Sequence, residues 1–167
     1  MDPPVPRPAT PADIPELVRV INAAYRVEDF FVTGDRTSTA EVGERLSRPG
    51  AGFLVVDAPG AAGLAGAVFV ECRGALGYFG MLSVDPARQG AGLGRRLVAA
   101  AEERCRKEGC RSVEIEVVNL REELPAFYRK LGFEPAGEAP FHTAAKLLRP
   151  AHMLLMRKNV DPEQGRG

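Results

Sequence analysis

The chemistry easiest to read lies in residues 81–97, MLSVDPARQGAGLGRRL. Within it, Gln89-Gly90-Ala91-Gly92-Leu93-Gly94 is a run of small residues that leaves the backbone bare. Glycine also reaches φ values that other residues resist. Apolar Leu97, Ala101 and Cys105 follow at four-residue intervals, as on one face of a helix. The first N–H groups of a helix have no partner inside it, and the macrodipole adds partial positive charge there. Such an end suits a phosphate or pyrophosphate, with Arg88, Arg95 and Arg96 at the rim. A P-loop would need Lys-Ser/Thr after the last glycine, where Arg95-Arg96 stand. A dinucleotide fold would need an acidic residue ending a second strand roughly 20 residues on. Glu108-Gly109-Cys110 falls there and ends the helix instead.

The glycine turn must be held by a strand before it and a helix after it. Leu76–Val84 reads as that strand, broken by Asp85-Pro86 because proline has no N–H for a ladder. The helix runs from Gly92 to Glu108 and stops at Gly109, a left-handed cap. Upstream, Val5–Ala9 is expected as an edge strand. Thr10-Pro11-Ala12-Asp13 is a helix start, and Ile14, Leu17, Val18, Ile21 and Tyr25 line one face behind it. Thr39–Ser47 is a second helix. Phe53–Asp57 and Leu64–Glu71 are strands joined by a glycine-rich hairpin. Downstream, Ser112–Val118 alternates with period two, placing Glu114 and Glu116 together on one face. Leu124–Lys130 is a short helix, Phe133 begins a strand and Met153–Arg157 is the last one. Gly137–Pro150 is expected to be a long loop holding His142 and Lys146.

A chain of 167 residues suggests one domain, expected over residues 5–159 with tails at 1–4 and 160–167. The 22 basic and 22 acidic residues cancel, so the footprint of a nucleic-acid binder is lacking. Cys72, Cys105 and Cys110 are odd in number and their spacing fits no metal site. No metal is expected, and a reducing cytoplasm follows from the cysteine usage. The N-terminus lacks the regions of a signal peptide, and the longest apolar run, Gly63–Val70, is too short to span a bilayer.

The pattern Leu82-Ser83-Val84, then Gln89-x-x-Gly92-x-Gly94, resembles the acetyl-CoA-binding motif of the GNAT superfamily of N-acetyltransferases. Phe127-Tyr128-Arg129-Lys130-Leu131-Gly132-Phe133 is similar to that superfamily's second signature, in the expected order and at a plausible distance. The resemblance implies an α/β fold: a mixed, largely antiparallel sheet with helices on both faces. It implies acetyl-CoA as co-substrate, held by Leu82, Ser83, Val84, Gln89, Gly90, Ala91, Gly92, Leu93, Gly94 and Arg95. Asn119 is a candidate for pantetheine, although many members carry that asparagine seven residues before the tyrosine, where Arg121 stands. Tyr128 is the implied general acid for the leaving thiolate. A backbone N–H near Val84 would polarise the thioester carbonyl.

The general base is read from two subfamilies. Arylalkylamine acetyltransferases use histidines at places that are Tyr78 and Gly80 here. Ribosomal-protein N-terminal acetyltransferases use a glutamate twelve residues before the tyrosine, which is Glu116. The segment between the first two helices borders the acceptor pocket in this family, so Glu28 and Phe31 become acceptor candidates with Tyr78. Glu28, Asp29 and Asp35 would suit a cationic amine. The implied reaction is direct acetyl transfer to a primary amine of a small molecule. A protein N-terminus or lysine as acceptor, or a non-catalytic acyl-CoA sensor of the same fold, are the alternatives. An exposed C-terminal edge strand offers a possible homodimer contact.

Overall fold

The computed structural model describes residues 4–60 and 62–161. The N-terminal segment is pinned by charge. Thr10 N–H donates to Asp13 Oδ2 at 2.8 Å, and Arg7 bonds both Asp13 and Asp57. That clamp fastens β1 (Arg7–Pro8), shorter than the run expected from sequence, beside β2 (Ala51–Asp57). Pro6 before β1 and Pro8 within it limit the strand to an edge. Helix α1 (Ile14–Tyr25) follows the Pro11–Asp13 turn, and α2 (Thr39–Ser47) is capped by Ser38 Oγ, which accepts from Glu41 N–H.

Next come β3 (Leu64–Arg73), β4 (Leu76–Val84), α3 (Leu93–Lys107), β5 (Ser112–Val118), α4 (Glu123–Lys130), β6 (Glu134–Pro140) and β7 (His152–Asn159). The seven strands form one sheet in the order β1-β2-β3-β4-β5-β7-β6. Every pairing is antiparallel except β4 with β5. Strand β2 shows how the two faces are filled. Leu54 and Val56 join Leu97, Val98 and Ala101 of α3 on one side. Phe53 and Val55 join Leu17, Val20 and Ile21 of α1 on the other. Period two thus sends alternate residues to opposite cores, and each large apolar side chain contributes about 1.5–3 kcal/mol by burial.

Two irregularities in β4 matter most. It pairs with β5 only over Leu76–Tyr78 against Ser112–Glu114, and then the two strands part. Its register with β3 also slips, so that Met81 and Leu82 lie opposite Val68. Met81 takes φ 52° at this bulge. Such a conformation costs a β-carbon residue of order 1 kcal/mol or more, and strain of this kind collects where a site needs it.

Beyond Gly132 the fold departs from the sequence reading. The strand expected from Phe133 forms as β6, but it runs on to Pro140, four residues into the loop expected from Gly137. Pro135, Gly137 and Pro140 argue against a strand, but β6 is the sheet edge and bonds β7 alone, so missing donors there are tolerated. Val160, expected in the tail, is buried, and its N–H donates to Arg111 O. The tails at 1–3 and 162–167 lie outside the described residues.

Candidate active site

The glycine turn forms as its sequence demands. Gly90 and Gly92 adopt φ 91° and 79°, where an added Cβ would be strained. The first helical bond of α3 runs from Arg96 N–H to Gly92 O at 3.2 Å. The N–H groups of Leu93, Gly94 and Arg95 ahead of it have no partner within the helix. Asp85 caps the preceding turn by accepting from Ala87 N–H, and Gln89 Nε2 donates to Val84 O at 3.4 Å, fastening the turn to the end of β4.

This turn is one end of a continuous cleft of about 670 Å³. The cleft follows the opening between β4 and β5, past Leu82, Ile115 and Tyr128, into a chamber walled by Tyr25, Glu28, Arg36 and Tyr78. Two loops roof the chamber. Val32 bridges Leu147, Thr33 N–H donates to Lys146 O at 3.0 Å, and Leu148 N–H donates to Phe31 O at 2.7 Å.

Leu82, Val84, Gln89, Gly90, Gly92, Leu93, Gly94 and Arg95 all line the cleft. Ser83 and Ala91 do not. Ser83 points into the sheet, where its hydroxyl donates to Met81 O at 2.9 Å and so supports the bulge. The cradle suits acetyl-CoA. Unpartnered N–H groups and Arg95 match a diphosphate, and the parted strands leave room for an extended pantetheine chain.

Tyr128 is buried, with its ring among Phe79, Phe127 and Phe133 at centroid distances of 5.0–6.2 Å. Its hydroxyl has no hydrogen-bond partner among the described residues. Burial pushes the phenol well above its ordinary pKa, so the group keeps its proton throughout the neutral range. Tyr25 and Tyr78 also line the cleft, so all three tyrosines of the chain meet there. Burial and the charge of Glu116 push Tyr78 up to about 12.

The two carboxylates on β5 separate by partner. Glu114 is bound by Arg157 of β7 at 2.5 Å. Glu116 faces the cleft with no hydrogen bond or ion pair among the described residues. Burial, then repulsion from Glu114, raise its pKa above the usual carboxylate value. A carboxylate raised in this way is a better proton acceptor near neutrality.

The acceptor candidates divide. Phe31 is wholly buried in a satellite core with Val118 and Met153 and does not reach the cleft. Glu28 does reach it, but Arg121 Nη1 bonds it at 3.1 Å. Asp35 is engaged by Arg26, and so is Asp29 at 3.8 Å. Asn119 lies at the β5–β7 junction, where its Oδ1 accepts from His152 N–H at 2.9 Å, outside the cleft. Arg36, His142 and Lys146 also line the chamber, and of these the sequence offers only His142 for a role, as a base. No periodicity marks them, because the bridge between the two roof loops joins residues more than a hundred positions apart. Burial and the charges of Arg36 and Arg45 lower the pKa of His142, which disfavours its protonated form.

The cysteines are nearer one another than their spacing suggests. The three Sγ atoms lie within 4.8 Å of each other, with Cys72 and Cys105 at 3.8 Å. All three are free thiols. Burial raises Cys105 strongly and pushes Cys110 up to about 11, so they pack as neutral apolar groups.

The fold is shared with solved acetyltransferase structures. Residues 18–133 match the model of the Acetyltransferase (GNAT) family, and the chain belongs to that family. It is 39% identical over 99 residues to glucosamine 6-phosphate N-acetyltransferase 1 of Oryza sativa subsp. japonica, covering 54% of this chain and 58% of that one. The chain therefore spans less than two thirds of that relative's length. It is 30% identical over 124 residues to IAA acetyltransferase of Azospirillum brasilense, covering 74% and 76% of the two chains. Among solved structures, yncA of Salmonella typhimurium, determined with its cofactor acetyl-CoA, superposes with a TM-score of 0.74 at 19% identity over 96% of each chain. At that identity the likeness speaks for the fold alone. Among the described residues no helix is long and apolar enough to cross a membrane.

Proposed function

We propose that this chain transfers acetyl from acetyl-CoA directly to a primary amine of a small molecule. The observation that carries the reading is a single cleft joining the glycine turn to both Tyr128 and Glu116. Bound acetyl-CoA would supply an activated thioester. Its diphosphate would rest on the N–H groups of Leu93–Arg95, and its pantetheine would lie along β4 from Val84 towards Leu82. Holding the thioester and the amine side by side supplies much of the rate by itself. Glu116 accepts the proton of the amine, directly or through water. Tyr128 keeps a proton on its phenol until the thiolate leaves and then gives it up.

The roof over the chamber favours a small acceptor over a peptide, which needs a groove open at both ends. Three unpaired thiols are consistent with a reducing cytoplasm. CoA release measured over an amine panel tests the proposal. Turnover with at least one small amine, slowed by Tyr128→Phe, is expected. Binding of acetyl-CoA with no release for any amine would point to a sensor instead.

A further inference from the structure

We propose that the acceptor carries an anionic group, a carboxylate or a phosphate, beside its amine, and that Arg36 binds it. The proposal rests on the reading of the cleft as an acetyltransferase site. It follows from which charges in the chamber are already matched. Glu28 and Glu123 share Arg121, Asp35 has Arg26, and Glu41 has Arg45 at 3.3 Å. Among the described residues that line the acceptor end, three charged groups have no opposite charge within 4.0 Å: Glu116, Arg36 and Lys146.

Their placement fits one ligand. Arg36 is half-buried and its guanidinium sits 5.2 Å from the centroid of the Tyr25 ring. Glu116 and Arg36 both act on the Tyr78 phenol, Glu116 raising its pKa and Arg36 lowering it. Both charges line the same chamber as Tyr78, so one small molecule held there can meet both. A lone carboxylate sharing one cleft with two unmatched cations is the complement of an amine that also bears negative charge. A half-buried guanidinium without a counter-ion is costly. A planar carboxylate or a phosphate satisfies it with paired, charge-assisted hydrogen bonds. Arg95 does not compete for this role, because it belongs to the glycine turn at the other end of the cleft.

Matched amine pairs test this directly. Glucosamine 6-phosphate against glucosamine probes phosphate, and α-amino acids against their amides probe carboxylate. The wild type is expected to prefer the anionic member of at least one pair by roughly 30-fold or more in kcat/KM. Arg36→Gln should remove that preference through KM, with kcat and acetyl-CoA affinity retained, while Arg36→Lys keeps part of it. Equal use of both members of every pair, or an undiminished preference in Arg36→Gln, would overturn the proposal. If no amine is acetylated, it is the acetyl-transfer reading that fails. Calorimetry on CoA-loaded protein then decides the charge claim. Heat from anionic members that disappears in Arg36→Gln supports it, and no heat, or heat unchanged by the substitution, rejects it.

Discussion

Arg121 Nη1 stands 3.1 Å from Glu28 Oε2, across 93 positions of sequence, and both side chains are largely buried. Glu28 thereby serves the wall of the chamber and is not left for an incoming amine. Burial raises the Glu28 pKa, and Arg121 works against that rise. Arg121→Met should therefore destabilise the protein by about 3 kcal/mol, as an uncompensated buried charge does. The pH dependence has a definite sign. A carboxyl whose folded pKa lies above its unfolded value of 4.5 is penalised only when ionised. The loss should be small below pH 4.5, grow between that value and the variant's raised folded pKa, and level off above it. Thermal melts of wild type and variant from pH 4 to 8 check this, and a constant difference would refute it.

Tyr128→Phe removes a hydroxyl that has no partner among the described residues and leaves the ring packing intact. Stability and acetyl-CoA affinity should hardly change. Turnover should fall about 100-fold if the phenol protonates the leaving thiolate. Steady-state kinetics beside a direct binding titration separates the two effects. Equal turnover would remove Tyr128 from the mechanism.

Glu116 has its pKa raised by burial and by Glu114. A base must be unprotonated to act, so kcat/KM should climb with pH through a limb lying above the usual carboxylate range. Glu116→Gln should lower the rate by about 100-fold or more and abolish that limb. Survival of the same acidic limb in the variant would assign it to another group.

Gly92 lies at φ 79° with open space where a Cβ would be. Gly92→Ala should cost about 1–2 kcal/mol from the left-handed backbone alone. It should also weaken acetyl-CoA binding, because the turn's donors would shift. Isothermal titration measures the second effect independently of the first.

Gly77 is tighter. A Cβ there would sit 2.5 Å from Cys105 Sγ. Gly77→Ala should destabilise the fold by about 1–3 kcal/mol through overpacking. Adding Cys105→Ala should restore most of the loss, and denaturant melts of the single and double variants would reveal whether it does.

The spine of the site could be read from sequence because local rules governed it. Leu76–Val84 and Ser112–Val118 are strands with the predicted boundaries, since period two and the Asp85-Pro86 break act over a few residues. The turn after Val84 needs left-handed φ at Gly90 and Gly92, and only the glycines announce that. The chamber was hidden for a different reason. Arg36, His142 and Lys146 meet through a bridge between Val32 and Leu147 that no local pattern encodes. Phe31 looked like a ligand contact and is core, because apolar content does not say which way a loop residue turns. The start of β6 was legible at Phe133, but its run on to Pro140 was hidden by Gly137 and Pro140, which an edge can carry and a central strand cannot.

Strands β4 and β5 are laced together at Leu76–Tyr78 and nowhere further along. The sheet is a book stitched at one corner of its binding, with facing pages that part towards Val84. A thioester chain slipped between the pages would act as the missing thread, lending amide partners to both. Occupancy at a hundred times the dissociation constant is worth about 2.7 kcal/mol of added resistance to unfolding. The supply of that thread would then govern how long the protein survives as well as how fast it works.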